Sequence, residues 1–145
     1  MNLRQVELDR FRNLQRQSIQ LHPRFNLFLG PNGQGKTNFL EAVAYLGSLR
    51  SFRTAWKNDL IRHGESMCRV SGQLLTEHLE KTRSFSLSNQ NRSQFVDKRA
   101  SSPEEYLRSV GTIHFIPEDV GLVGGLPSWR RKVLDRSVFE TRPGY

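Results

Sequence analysis

Gly30-Pro31-Asn32-Gly33-Gln34-Gly35-Lys36-Thr37 satisfies every fixed position of the pattern G-x-x-x-x-G-K-[ST]. This is the Walker A phosphate loop, and each fixed position has a mechanical task. Glycines let backbone N–H groups turn inward to phosphate oxygens along a path that a Cβ obstructs. The lysine at position 36 reaches β- and γ-phosphates, and the hydroxyl at position 37 is placed to ligate Mg²⁺. With average residue usage, a chain of this length matches all fixed positions by chance about once in 200 cases.

The flanks suit the motif. Phe25-Asn26-Leu27-Phe28-Leu29 is a short apolar run, expected to be a buried parallel strand. Beyond the loop, Phe39, Leu40, Val43, Ala44 and Leu46 recur at helical spacing, which predicts a helix from Lys36 to about Leu49. Gly47 and Ser48 are its stop signals.

The whole sequence has 145 residues, 36% apolar, with a net charge of +8, enough for one ordinary domain. The basic surplus points to a polyanionic partner such as nucleic acid or anionic lipid, or to a solvated basic surface. No run approaches the ~18 apolar residues of a membrane span. The opening Met1-Asn2-Leu3-Arg4-Gln5 has no signal-peptide core, and a single cysteine, Cys68, cannot form an internal disulfide. A cytoplasmic protein is therefore expected, with Cys68 a small core residue.

Apolar alternation predicts strands near Leu3–Leu8 and Ser18–Leu21, then over Met67–Thr76, Thr82–Ser88 and Gln94–Asp97. A short helix is expected near Lys57–Ile61. Ser101-Ser102-Pro103-Glu104-Glu105 reads as a helix start, with cap, proline and first-turn acids in order. Thr112-Ile113-His114-Phe115-Ile116 is expected to be a buried strand, and Trp129–Phe139 a basic amphipathic helix. The acidic strand end that completes a P-loop ATPase, the Walker B position, has one candidate, Glu118 or Asp119. Pro117 interrupts the expected junction there.

Five stretches together resemble the RecF family of bacterial DNA repair ATPases, within the ABC-type ATPases beside the SMC proteins. They are Leu8-Asp9-Arg10-Phe11-Arg12-Asn13-Leu14; the loop extended through Asn38-Phe39-Leu40-Glu41-Ala42; Ser51-Phe52-Arg53 with Leu60-Ile61-Arg62-His63-Gly64; Phe115-Ile116-Pro117-Glu118-Asp119-Val120-Gly121-Leu122-Val123; and Pro127-Ser128-Trp129-Arg130-Arg131-Lys132-Val133-Leu134-Asp135.

The resemblance implies an α/β P-loop fold of ABC-ATPase type, a mixed sheet with an antiparallel β lobe, incomplete at the C-terminus. Residues 1–145 are expected to form the N-terminal part of one ABC-type ATPase domain, without helical arm, signature motif and Walker B half. It implies ATP and Mg²⁺ as cofactors, with ATP held by Gly30, Pro31, Asn32, Gly33, Gln34, Gly35, Lys36 and Thr37, and Mg²⁺ by Thr37. Asn38 is either a further contact near the phosphates or a helix-surface residue. Arg12 and Asn13 either face the nucleotide or form a plain hairpin turn in which asparagine tolerates positive φ.

Arg53 and Lys57, and Arg130, Arg131 and Lys132, are candidate DNA contacts or solvated basic faces. Phe52 and Trp56 interleave with the first group, either for base stacking or for core packing. The resemblance further implies homodimerisation around ATP, binding to single-stranded, gapped or junction DNA, and loading of RecA with RecO and RecR, within DNA replication, repair and the SOS response. Without Walker B and signature residues, ATP binding with little hydrolysis is expected. A small-molecule P-loop kinase and a non-hydrolysing nucleic-acid-binding fragment are the alternatives.

Overall fold

The computed structural model describes residues 2–75, 79–108, 112–117, 119, 127–128 and 130–131. Six strands form one antiparallel sheet in the order β2-β1-β3-β4-β5-β6. They are β1 (Asn2–Asp9), β2 (Gln17–Gln20), β3 (Met67–Leu75), β4 (Glu80–Ser88), β5 (Arg92–Val96) and β6 (Arg99–Ala100). Helix α1 spans Lys36–Ser48, a 3-10 turn spans Lys57–Leu60, and α2 spans Pro103–Arg108. Among the described residues, no helix is long and apolar enough to cross a membrane.

The sheet follows from period-2 patterning. In β3, Cys68, Val70 and Leu74 are buried while Met67, Arg69 and Gln73 are exposed, so one face is committed to the core. In β1 the apolar residues Leu3 and Val6 are three apart, which alternation would put on opposite faces. A register shift between Leu3 and Gln5 absorbs the extra residue, and both pack into the same core.

Helix α1 lies on that face. Tyr45 packs on Phe85 with ring centroids 4.6 Å apart, and Phe11 meets the same ring edge-on at 6.5 Å. Burying one such aromatic side chain is worth about 1.5–3 kcal/mol. The α2 cap forms as expected, Ser102 Oγ accepting the Glu105 N–H at 3.2 Å. Cys68 is buried in the core, 1% exposed, and burial pushes its thiol up to about 12.

Three expectations change. The buried face of α1 is Phe39, Glu41, Ala42 and Ala44–Gly47, whereas Leu40 is 51% exposed. Gly47 lies inside the helix, and its end is made by Leu49 in the left-handed region (φ 53°), whose N–H donates to the Tyr45 carbonyl. The segments at Phe25–Leu29 and Thr112–Ile116 join no sheet among the described residues. Phe25, Leu27, Leu29, Ile113 and Phe115 are exposed. Each segment has one aromatic anchor, Phe28 on Phe39 at 4.7 Å and His114 on Phe52 at 5.5 Å. An apolar run becomes a strand only where a neighbour accepts its backbone hydrogen bonds.

Candidate nucleotide site

The loop at Gly30–Thr37 leads directly into α1, so its backbone N–H groups and the positive end of the helix dipole share one side. Gly30, Gly33 and Gly35 all have positive φ. Gly35 is the most constrained: φ is 102°, and a Cβ there would lie 2.5 Å from Leu14 Cδ2 and 2.9 Å from Asn13 Oδ1. Its Cα therefore marks where the β1–β2 turn presses against the loop. Lys36 folds over the loop, its Nζ donating to the carbonyls of Gly30 and Pro31 at 2.7 Å each. Pro31, Asn32, Gln34 and Thr37 are exposed around it.

The β1–β2 turn is built with strain. Arg10 and Arg12 adopt positive φ (56° and 54°), a conformation that non-glycine residues hold only when the surroundings enforce it. Asn13, which a plain asparagine turn would put there, is not the strained residue. Enforcement comes from the backbone: Arg12 N–H donates to the Leu60 carbonyl and Arg62 N–H to the Arg10 carbonyl, both at 2.9 Å.

The side chains of this turn then reach the loop and α1. Asn13 Nδ2 donates to the Gly33 carbonyl at 2.9 Å, and Asn38 Nδ2 donates to Asn13 Oδ1 at 2.7 Å. Arg53 Nη1 donates to Asn38 Oδ1 at 2.7 Å. Arg12 forms a two-pronged ion pair with Glu41 at 2.9 and 2.8 Å. Arg12, Asn13, Asn38 and Arg53 also line a cleft of about 650 Å³, together with Arg62 and His63.

The sequence candidates thus divide. Arg12, Asn13, Asn38 and Arg53 converge beside Gly30–Thr37. Lys57 lies away from that cleft, in a second one of about 530 Å³ with Arg50, Arg92 and Trp56. Trp56 is 76% exposed, so it is not a core residue. Phe52 lines the same cleft, partly covered by His114. Arg130 and Arg131 are helical and exposed; Lys132 and most of the expected Trp129–Phe139 helix lie outside the described residues. So does Glu118, while Asp119 turns its carboxylate onto the Ile116 N–H at 3.0 Å.

Glu41, Asp59, Arg62 and Arg92 were not singled out from sequence as site residues. The signal for Glu41 was there, a lone acid at a position flanked by helix-core residues.

The RecF/RecN/SMC N terminal domain family matches residues 2–108. DNA replication and repair protein RecF of Geotalea daltonii is 37% identical over 142 residues, covering 97% of this chain and 39% of that protein. RecF of Myxococcus xanthus is 36% identical, covering 100% and 38%. The chain thus spans about two fifths of the length of these relatives. Solved structures of the recombination mediator RecF in the RecFOR pathway, with ATP and with ATPrS, superpose with TM-scores of 0.90 and 0.91. Each is 33% identical and covers 99% of this chain and 39% of the solved one. An SMC ATPase structure superposes at 0.78 with 18% identity, covering 93% of this chain and 98% of that one; this likeness concerns the fold. The antiparallel lobe, the phosphate loop and the helix it opens are those of a partial ABC-type ATPase fold, and the chain belongs to the RecF/RecN/SMC family, on its RecF branch.

Proposed function

We propose that this chain is the ATP-holding part of a RecF-type DNA repair protein. The observation that carries the reading is the cleft shared by Arg12, Asn13, Asn38 and Arg53, two guanidiniums and two amides, which Asn13 joins to the phosphate loop through the Gly33 carbonyl. Loop N–H groups, Lys36 and the helix dipole complement the triphosphate. The adjoining cleft, which Arg62 and His63 also line, is roomy enough for a nucleoside. The RecF structures with ATP support the same reading.

The exposed Thr37 hydroxyl is a hard oxygen donor suited to Mg²⁺. Among the described residues no three acids, histidines or cysteines cluster, so Thr37 and the phosphates would carry the ion, which would neutralise phosphate charge. ATP binding with little hydrolysis is the activity in this reading, Asp119 being held on its own turn by the Ile116 N–H.

DNA is the polyanion that the +8 charge serves in this reading. Arg53 and Lys57, with exposed Trp56 between them, form one contact surface, and Arg130 and Arg131 another. The finer role in this reading is the one that the family resemblance implies: an ATP-dependent dimer in the cytoplasm, acting at single-stranded gaps and junctions with RecO and RecR to load RecA during the SOS response.

Filter binding to gapped DNA across a salt series, with and without ATP, tests this. Salt-sensitive binding that ATP changes is expected. Binding indifferent to ATP indicates a plain nucleic-acid-binding fragment. Phosphate transfer to a small molecule without DNA binding indicates a kinase.

A further inference from the structure

Glu41 is fully buried, yet its two oxygens meet four donors from two other segments. Oε2 accepts Arg12 Nε at 2.9 Å and Oε1 accepts Arg12 Nη2 at 2.8 Å. Ser51 Oγ donates to Oε1 at 2.5 Å, and Arg53 Nη1 lies 3.3 Å from Oε2. A buried carboxylate is tolerated only when paired and hydrogen-bonded, and here the partners are the two arginines that line the cleft at the phosphate loop. The Arg12 side chain is 18% exposed and that of Arg53 44%. Each guanidinium therefore uses one edge on Glu41 and keeps part of its surface toward the cleft.

The same carboxylate anchors a chain of contacts. Arg53 continues to Asn38, Asn38 to Asn13, and Asn13 to the Gly33 carbonyl. Ser51 Oγ also accepts the N–H groups of Arg53 and Thr54 at 2.9 and 3.1 Å, so Glu41 fixes the base of the 51–54 segment as well.

We propose that Glu41 is a positioning residue of the nucleotide site: it touches no nucleotide, holds Arg12 and Arg53 at a fixed separation, and ties the 51–56 segment to the phosphate loop. The proposal rests on the ATP reading above, and its test has one part that does not. The sequence contains two tryptophans, Trp56 and Trp129. In a Trp129→Phe background the exposed Trp56, three residues past Arg53, reports on the segment.

Without nucleotide, Glu41→Gln is expected to lower Trp56 fluorescence anisotropy and shift its indole N–H resonance while circular dichroism stays folded. With ATP, the dissociation constant is expected to rise about tenfold, and the ATP-induced Trp56 signal of the parent to disappear. Ser51→Ala, which keeps the charge, is expected to move both readouts the same way by less, and stands in should Glu41→Gln fail to fold.

A purely structural Glu41 would lower the melting temperature alone, leaving ATP affinity and the Trp56 response intact well below it; that result overturns the proposal. If the parent binds no ATP, the ATP reading fails by itself. An unchanged Trp56 signal in nucleotide-free Glu41→Gln would then overturn this inference separately.

Discussion

Asn13 donates its amide to the carbonyl of Gly33 across 2.9 Å, joining the strained β1–β2 turn to the middle of the phosphate loop. The lobe and the loop are therefore not independent. Two residues along, Gly35 has no room for a side chain, because Leu14 and Asn13 occupy the place of its Cβ.

Gly35→Ala is accordingly expected to suffer twice, from φ near 102° and from the clash with Leu14. Positive φ at a non-glycine residue costs about 1–3 kcal/mol, and relief of the clash requires moving the turn off the loop. Urea unfolding should show a loss of at least that size. Gly33→Ala meets no atom within 4 Å and should lose only the backbone part. Equal losses in the two variants would mean that the turn does not pack as described.

Much of this was legible beforehand, and the failures have physical causes. Met67–Thr76 and Thr82–Ser88 read as strands, and Met67–Leu75 and Glu80–Ser88 form them, because alternation reports a half-buried sheet face directly. Arg12, Asn13 and Asn38 could be placed near the loop through the family resemblance, but not joined. Hydrogen bonds between residues 25 and 20 positions apart leave no local periodicity. Glu41 stands out in the sequence as a lone acid among helix-core residues, but its role as a hub does not, since its partners Arg12 and Arg53 come from separate segments. Phe25–Leu29 read as a strand because an apolar run records burial potential, whereas pairing depends on a neighbour the run does not encode.

Lys36→Ala should separate binding from folding. The ammonium's contacts with the Gly30 and Pro31 carbonyls are exposed to solvent, where water replaces them, so its removal costs the folded chain little. Hydrogen bonds to charged groups contribute about 1.5–3 kcal/mol, so ATP affinity should fall roughly 10- to 150-fold. Calorimetric titration with ATP, beside a thermal melt without it, checks both parts. A large fall in melting temperature would assign Lys36 a structural role instead.

Alkaline unfolding should have a resolvable cysteine component. Burial raises the Cys68 thiol from its ordinary 9.0 to about 12. Between those values the folded chain keeps a proton that the unfolded chain has released. The stabilisation is whole below pH 9 and is lost as pH rises toward 12, at no more than about 1.4 kcal/mol per pH unit for one proton. Tyr45 and Tyr106 are also raised by burial from 10.0 and act with the same sign at higher pH. Cys68→Ala should therefore flatten the stability profile from pH 9 toward 12, and between pH 9 and 10 the difference is read before the tyrosines contribute. A profile parallel to the parent's there would show that the thiol is reachable in the folded state, and a thiol reagent would then react with it at pH 8.

The two clefts predict different signatures at DNA. As the proposed phosphate contacts, Lys57 and Arg53 would act as point charges, so alanine at either should weaken binding and reduce the slope of log affinity against log salt by about 0.7 per contact on single strands. Trp56 carries no charge, and its exposed ring sits among Arg50, Lys57 and Arg92. A base stacked on it is worth about 1–3 kcal/mol. Trp56→Ala should therefore weaken single-strand binding roughly 5- to 150-fold at constant salt slope and leave blunt duplex binding nearly unchanged, because duplex bases remain stacked on one another. Anisotropy titrations of single-stranded and blunt duplex oligonucleotides at four salt concentrations distinguish these outcomes. An equal loss on both, with a reduced slope, would mean that Trp56 acts only by shaping the basic segment. Because Arg53 also lines the cleft proposed for the nucleotide, its variant alone should change the effect of ATP on DNA affinity, whereas Lys57→Ala should leave that effect intact.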